Sequence, residues 1–388
     1  MWRRLAVMLS LLMVLAGTSY AIDFSGLSLS KVQVGDQLQA VKVAVKAKDL
    51  ELICPGAVYR SGGASGTRLG QLDPLGRAEV SVFKDPEQTS NLLFGSLGTD
   101  LEPFASSSGR LDLTTKESLR VVARDLEAQS IQGSQLLNGN QIQAVASERM
   151  AGLAGSSCQQ PTTSAWILAG TTETGREALL VFANPSPVDA TVDLEIFTEA
   201  GRVNAAGLAG ISVAARSVAV VPVSALVPKA QSLAIRIQSR GAAVATWLQQ
   251  KTVRGLVAAG LEISVPVAQP SNTVEIPGVL IRGSESSNNL AAADGDYGDL
   301  QPVLRVFATA TTEVTGQIIG ADSETFGTVV RETVSGGTVV DIPLTGLSDG
   351  DFSAFISADQ PVLASIRYSR TTENQKPLTD FTWAPAGS

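Results

Sequence analysis

The last two thirds of the chain carry one pattern twice. LLVFANPSPVDATVDLEIFTEAG at 179–201 parallels VLRVFATATTEVTGQIIGADSETFG at 303–327. Further on, SVAVVPVSALVPKAQSLAIRIQSRGAAVATWLQQKT at 217–252 parallels TVVDIPLTGLSDGDFSAFISADQPVLASIRYSRTT at 338–372. Each unit reads as strand, turn, strand and loop, then strand, Pro-x-x-x-Leu turn, strand, turn and strand. Within SLAIRIQS, Leu233, Ile235 and Ile237 fall on one face while Arg236 and Gln238 fall on the other, the period-2 signature of a half-buried strand. FSAFISA repeats it with Phe352, Ala354 and Ile356. Two related β-sandwich modules of roughly 110 residues each are expected.

Upstream, Val32–Val45 also alternates, and short β-branched runs bounded by Gly, Ser, Asp and Pro follow it, with little helical periodicity. SLRVVARDLEAQSIQGSQLLNGNQIQAVASERM at 118–150 resembles one strand pair of the repeat with a lengthened middle. The stretches opening at Gln160-Pro161 and at Val265-Pro266 suit boundaries. The expected fold is all-β: tandem β-sandwiches, immunoglobulin-like or jelly-roll-like, after an N-terminal signal helix. The expected division is a signal peptide at 1–21, an N-terminal β domain at 22–160, a middle sandwich at 161–270 and a C-terminal sandwich at 271–388.

The first residues, MWRRLAVMLSLLMVLAGTSYAID, have the three parts of an export signal: Arg3 and Arg4, an apolar run from Leu5 to Gly17, and a small-x-small site ending at Ala21. The run is shorter than the roughly 20 residues a membrane span needs. Cleavage after Ala21 is expected, an uncleaved N-terminal anchor being the alternative; no membrane span is expected in the mature chain. Losing residues 1–21 removes two arginines and no acid, taking the net charge of −8 to −10. Such acidity opposes nucleic acid and anionic lipid surfaces, and no nucleic-acid partner is expected. An exported chain with only Cys54 and Cys158 most simply pairs them. Closing that loop is worth at most about 4–5 kcal/mol in the chain-entropy reading; two buried free thiols are the alternative.

Several short motifs follow in order: Cys158-Gln-Gln-Pro161, Ser164-Ala-Trp166 through Gly170, Thr174-Gly-Arg176, Leu180-Val-Phe-Ala-Asn184-Pro185, and Ala190-Thr-Val192-Asp-Leu194. Gly201-Arg-Val203, Ile211-Ser-Val213, Leu233-Ala-Ile-Arg-Ile237 and Val244-Ala-Thr-Trp247 continue the series, and Cys54-Pro-Gly56 precedes it. This order resembles a secreted actinobacterial family of unknown function, over most of the mature chain and most strongly from about 140 to 280. Ile167-Leu168-Ala169 is more apolar than the family's glycine-rich stretch, and the C-terminal third matches less well. The resemblance implies an exported, envelope-associated protein and carries over no catalytic residue.

Histidine is absent, which removes Ser-His-Asp and Cys-His catalysis, histidine-ligated zinc or haem, and a histidine base. Paired carboxylates remain. Glu173 and Glu177 flank Gly175-Arg176, and Asp193 and Glu195 share a strand face; they read either as a glycosidase-type pair or as a solvated face and a charged loop. Asp294, Asp296 and Asp299 resemble a calcium loop, but Gly298, Asp299 and Arg305 occupy EF-hand positions 5, 6 and 12. A looser Ca²⁺ site or a polar loop is left. Ser28-Leu-Ser-Lys31 fits S-x-x-K without its partner motifs, and Ser61–Gly66 is glycine-rich without G-K-[ST]. Trp166, Trp247 and Trp383 are either a sugar-stacking surface or buried core. Asn184-Pro185 reads as a hairpin turn, since Pro185 lacks a donor.

No catalytic, metal or cofactor site is assigned from these residues. The expected function is that of an extracytoplasmic, secreted or envelope-associated, non-enzymatic binding or structural module with a protein or glycan partner. A carboxylate enzyme on envelope polysaccharide, or a carbohydrate-binding module, is the alternative.

Overall fold

The computed structural model describes residues 49–61, 72–84, 91–104, 109–124, 137–321, 327–372 and 378–387. The signal segment with its Ala21 site, the Val32–Val45 alternation and Ser28–Lys31 lie outside them, as does all of 61–66 except Ser61.

The described chain is nearly all antiparallel β, and one two-layer strand order occurs three times. In the first copy, β1 (Leu50–Cys54), β8 (Leu119–Arg124), β5 (Asn91–Ser96) and β6 (Glu102–Phe104) form one sheet in that order. Its companion runs β7 (Arg110–Thr115), β4 (Ala78–Lys84), β9 (Leu137–Ser147), β10 (Met150–Ser157). A small hairpin, β2 (Tyr59–Ser61) with β3 (Leu72–Pro74), is extra.

The second copy repeats this order. β11 (Ser164–Ile167), β17 (Ala234–Arg240) and β13 (Ala190–Thr198) form one sheet, with β14 (Gly201–Arg202) and β15 (Ile211–Val213) on β13. β16 (Ser217–Pro222), β12 (Arg176–Asn184), β18 (Ala245–Arg254) and β19 (Val257–Ser264) form the other.

In the third copy the two layers are one folded sheet. β25 (Gly350–Thr371) pairs through residues 350–358 with β20 (Ser271–Ile281) and β22 (Thr312–Gly320), which carries β23 (Thr328–Val334). Beyond Pro361 it pairs with β21 (Val303–Ala308), which carries β24 (Val339–Pro343), and with β26 (Thr379–Pro385). In the second copy Gly241, at φ +85°, breaks the chain at the matching corner; the third copy crosses it with an unbroken strand. The 118–150 stretch supplies β8 and β9, the counterparts of β17 and β18.

Cores follow from the alternation. β13 buries Ala190, Val192, Leu194, Ile196 and Thr198 and leaves the residues between them half-buried. Both sheets of each copy feed one apolar cluster, around Leu52, Val80 and Val121 in the first, Phe182, Ile196 and Ile235 in the second, and Leu304, Ile356 and Ile366 in the third. Burying such side chains is the main stabilising term, about 1.5–3 kcal/mol for each large aliphatic residue.

Cys54 and Cys158 are bonded to each other, tying the end of β1 to the residue after β10 and so one layer of the first copy to the other. Gly139 makes room for the bridge: a Cβ there would stand 3.0 Å from the Cys158 sulfur. At Asn184, the side-chain amide donates to the carbonyls of Val188, Val213 and Ala214, and its oxygen accepts the Ser186 amide at 3.0 Å. The Asn-Pro pair is thus a hairpin turn built on a fully buried asparagine.

The copies are joined by apolar seams. Ile53, Met150 and Ala154 of the first meet Val181, Trp247 and Ile263 of the second. Trp166 and Leu168 meet Phe307, Val339 and Leu363 of the third. Among the described residues the single α-helix, α1 (Ser284–Ala293), follows β20 and leads into a 3-10 turn at Gly295–Leu300.

Candidate functional site

The last strands of the three copies, β10, β19 and β26, pack against one another. Gly152 and Gly260 hold equivalent places in the first two, with φ of +153° and +138°. A Cβ on Gly152 would stand 2.9 Å from an Asp380 carboxylate oxygen, and one on Gly260 would stand 2.5 Å from the Phe381 ring. Through these openings the Asp380 carboxylate reaches both neighbouring copies. It accepts the Leu153 amide at 2.7 Å, the Leu261 amide at 3.0 Å and the Phe381 amide at 3.0 Å.

Glu262 follows Leu261 on β19 and is 4% exposed. Its Oε1 accepts the Thr382 hydroxyl at 2.9 Å and the Trp383 amide at 3.4 Å. Burial pushes its pKa up to about 8, with the Asp380 charge acting the same way, against the hydrogen bonds from Thr382 and the Trp383 and Ile263 amides. Desolvation of the charged form outweighs those bonds. Asp380 is also raised by burial, despite its three amide donors. At neutral pH Glu262 is therefore a neutral acid.

Both line a cavity of about 430 Å³ where the three copies meet, with Leu153, Leu280, Phe381 and Arg370. Arg282 on its wall is committed: it donates to the carbonyls of Ile281 and Gly350 and pairs with Asp351. Arg370 is exposed and has no hydrogen-bond or ion-pair partner among the described residues.

The residues singled out in the sequence fall elsewhere. Glu177 pairs with Lys251, directly opposite it on β18. Asp193 pairs with Arg240 at 2.8 Å, and Glu195 with Arg202 at 2.8 Å and Arg236 at 3.2 Å. Glu173 accepts the Thr171 hydroxyl. Glu177 lies on one sheet of the second copy and Asp193 and Glu195 on the other.

The acidic loop is clasped by two arginines. Asp299 pairs with Arg176 at 2.6 Å and with Arg254. Burial pushes its pKa up, but the charges of Arg176, Arg254 and Arg367 together hold it below the usual carboxylate range. Asp294 caps the 3-10 turn by accepting the Asp296 amide, and Arg254 lies 4.7 Å from the centre of the Tyr297 ring. Among the described residues no group of three or more His, Cys, Asp or Glu is placed to hold a metal.

The tryptophans line joints rather than a sugar platform. Trp166 is 6% exposed beside Phe197 and Phe307, Trp247 is wholly buried with its ring N–H donated to the Ser157 carbonyl at 3.2 Å, and Trp383 is 6% exposed under Arg305. Arg305 is fully buried; it forks onto Asp341 at 2.7 and 2.8 Å and donates to the Gly170 carbonyl at 2.6 Å.

Glu262, Asp380 and Arg370 carry no motif that marks them in the sequence. One cue exists for Glu262: an acid within the apolar run Ala258-Ala-Gly-Leu-Glu-Ile263 sits in a strand buried on both faces. Nothing local marks Asp380, two of whose three amide partners come from other copies.

Residues 126–388 match the model of a family described as a family of unknown function, DUF5719. No curated protein and no solved structure matches the chain.

Proposed function

The chain belongs to the family of unknown function DUF5719, and from that premise we propose that it is an exported, non-catalytic protein of the cell envelope that acts as a binding or structural module. The support is the way its acids are spent. Asp193, Glu195, Glu177 and Asp299 are committed to arginine or lysine, and Asp380 to backbone amides across three fused sandwiches. Such groups rigidify a scaffold, and recognition then falls to its surfaces and clefts. Envelope proteins and glycans are the partners this reading offers; no helix among the described residues is long and apolar enough to cross a membrane. The test is cell fractionation combined with retention of the mature protein on isolated envelope material. Presence in the envelope or culture fluid with retention supports it; a cytosolic protein with no retention overturns it.

One observation favours a second reading, a carboxylate enzyme on envelope polysaccharide. Glu262, a neutral acid at pH 7, lines the same cavity as Asp380, the donor half of a glycosidase pair. Release of reducing ends from envelope polysaccharide, lost in Glu262→Gln, would establish it.

A further inference from the structure

We propose that the cavity between the last strands of the three copies is a binding site for a small monocarboxylate with an apolar body, its carboxylate on Arg370 and its body on Leu153, Leu280 and Phe381. This rests on the binding-module reading and gives it a site and a ligand class.

The size suits such a ligand, since about 430 Å³ lies in the small-molecule range of roughly 300–1,000 Å³. The wall is mixed in the way such sites are, an apolar surface with a few convergent polar groups. Charge decides the class. Of the two lining arginines, Arg282 is already neutralised by Asp351 and two carbonyls, whereas Arg370 has no partner among the described residues. Arg370 is thus the one uncommitted cation of the wall among the described residues, and it matches one negative charge. The Asp380 carboxylate in the same wall opposes a second, which disfavours a phosphate dianion. Glu262 is the inner polar group: Oε1 accepts from Thr382 and Trp383, and the carboxyl, kept protonated by its burial, is the donor in this wall for a ligand oxygen. The titratable groups around Glu262 are Asp380 on β26, Arg282 just after β20, and Tyr368 and Arg370 on β25; β10 contributes Leu153 and Gly155, which carry no charge.

The ligand's source could be an acidic sugar or an acyl or aryl acid. Calorimetric titration of the full mature chain with glucuronate, hexanoate and benzoate separates these, with methyl glucoside and inorganic phosphate as controls. The expected result is binding of at least one carboxylate and of neither control. Arg370→Ala, an exposed substitution that leaves the core intact, should weaken it roughly tenfold or more, as for loss of a charged hydrogen bond. Binding should also weaken as pH rises past 8 and Glu262 ionises, and Glu262→Gln should flatten that profile while keeping affinity at about pH 6.5. No carboxylate binding at millimolar concentration, binding of phosphate instead, or an unchanged affinity in Arg370→Ala overturns the inference. If the probes fail while the protein is still retained on envelope material, the cavity site falls and the binding-module reading stands. Loss of both removes both.

Discussion

The Asp380 carboxylate accepts the Leu153 amide at 2.7 Å, joining residues 227 positions apart, and holds the Leu261 amide with its other oxygen. One side chain of the third copy therefore fastens the first and second. Asp380→Ala should lower unfolding stability by about 2–3 kcal/mol, the cost of leaving partly buried donors without an acceptor. Asp380→Asn, which keeps one acceptor oxygen, should cost less. Urea midpoints of the two variants measure this.

Glu262 gives stability a pH dependence of definite sign. Its pKa is about 8 in the folded chain against an ordinary 4.5, so the folded state holds more protons between those values and stability falls as pH rises through that window. The full effect is on the order of 5 kcal/mol. Glu262→Gln preserves the acceptor for Thr382 and Trp383 and should remove that group's contribution to the slope. It should therefore be more stable than the parent at about pH 9 and close to it at about pH 5, as read from denaturant midpoints.

Breaking the Cys54–Cys158 bridge should cost about 2–4 kcal/mol and act first on the first copy, whose two layers it connects. Thermal melts with and without reductant measure the loss. Thiol labelling of the denatured, unreduced chain should find no free cysteine.

Arg305→Met should destabilise by about 3–5 kcal/mol, because Asp341 loses both hydrogen bonds and the Gly170 carbonyl its donor. Arg305→Lys should rescue little, since an ammonium cannot reproduce the fork. Chemical denaturation, with circular dichroism to check that the sheets persist, reads both.

Two glycines near the cavity should behave oppositely. Gly260→Ala places a Cβ against the Phe381 ring in backbone of positive φ and should cost about 2 kcal/mol or more. Gly155→Ala, with nothing within 4 Å of its added carbon, should stay within about 0.5 kcal/mol. Melting temperatures compared side by side test the contrast.

What can be read from the sequence is local. The alternation of Val192, Leu194 and Ile196 names a strand face without reference to any other part of the chain, and Pro185 ends a strand because it has no donor to give. The repeat in the last two thirds and the strand pair at 118–150 are visible for the same reason. Even the Cys54–Cys158 bond follows from counting cysteines, there being no other partner for either. The first copy of the plan is only partly legible, since its β4–β7 stretch shares the order of pairing with the other copies but little of their residue pattern.

The site is decided in three dimensions. Arg176 and Asp299 are both conspicuous, one in a Gly-Arg loop and one in an acidic run, yet their ion pair spans 123 residues and turns a calcium-like loop into a clasp. The tryptophans that suggest a sugar surface are consumed by the seams between copies and by the packing under Arg305. The amino-acid sequence by itself determined strands, turns, the repeat and the bridge, because those depend on neighbours along the chain or on a count of partners. Only the tertiary structure determined which charges meet: Glu262 becomes a neutral acid, and Asp380 a fastening, through groups that three separate strands bring to one junction, where burial sets the energetics.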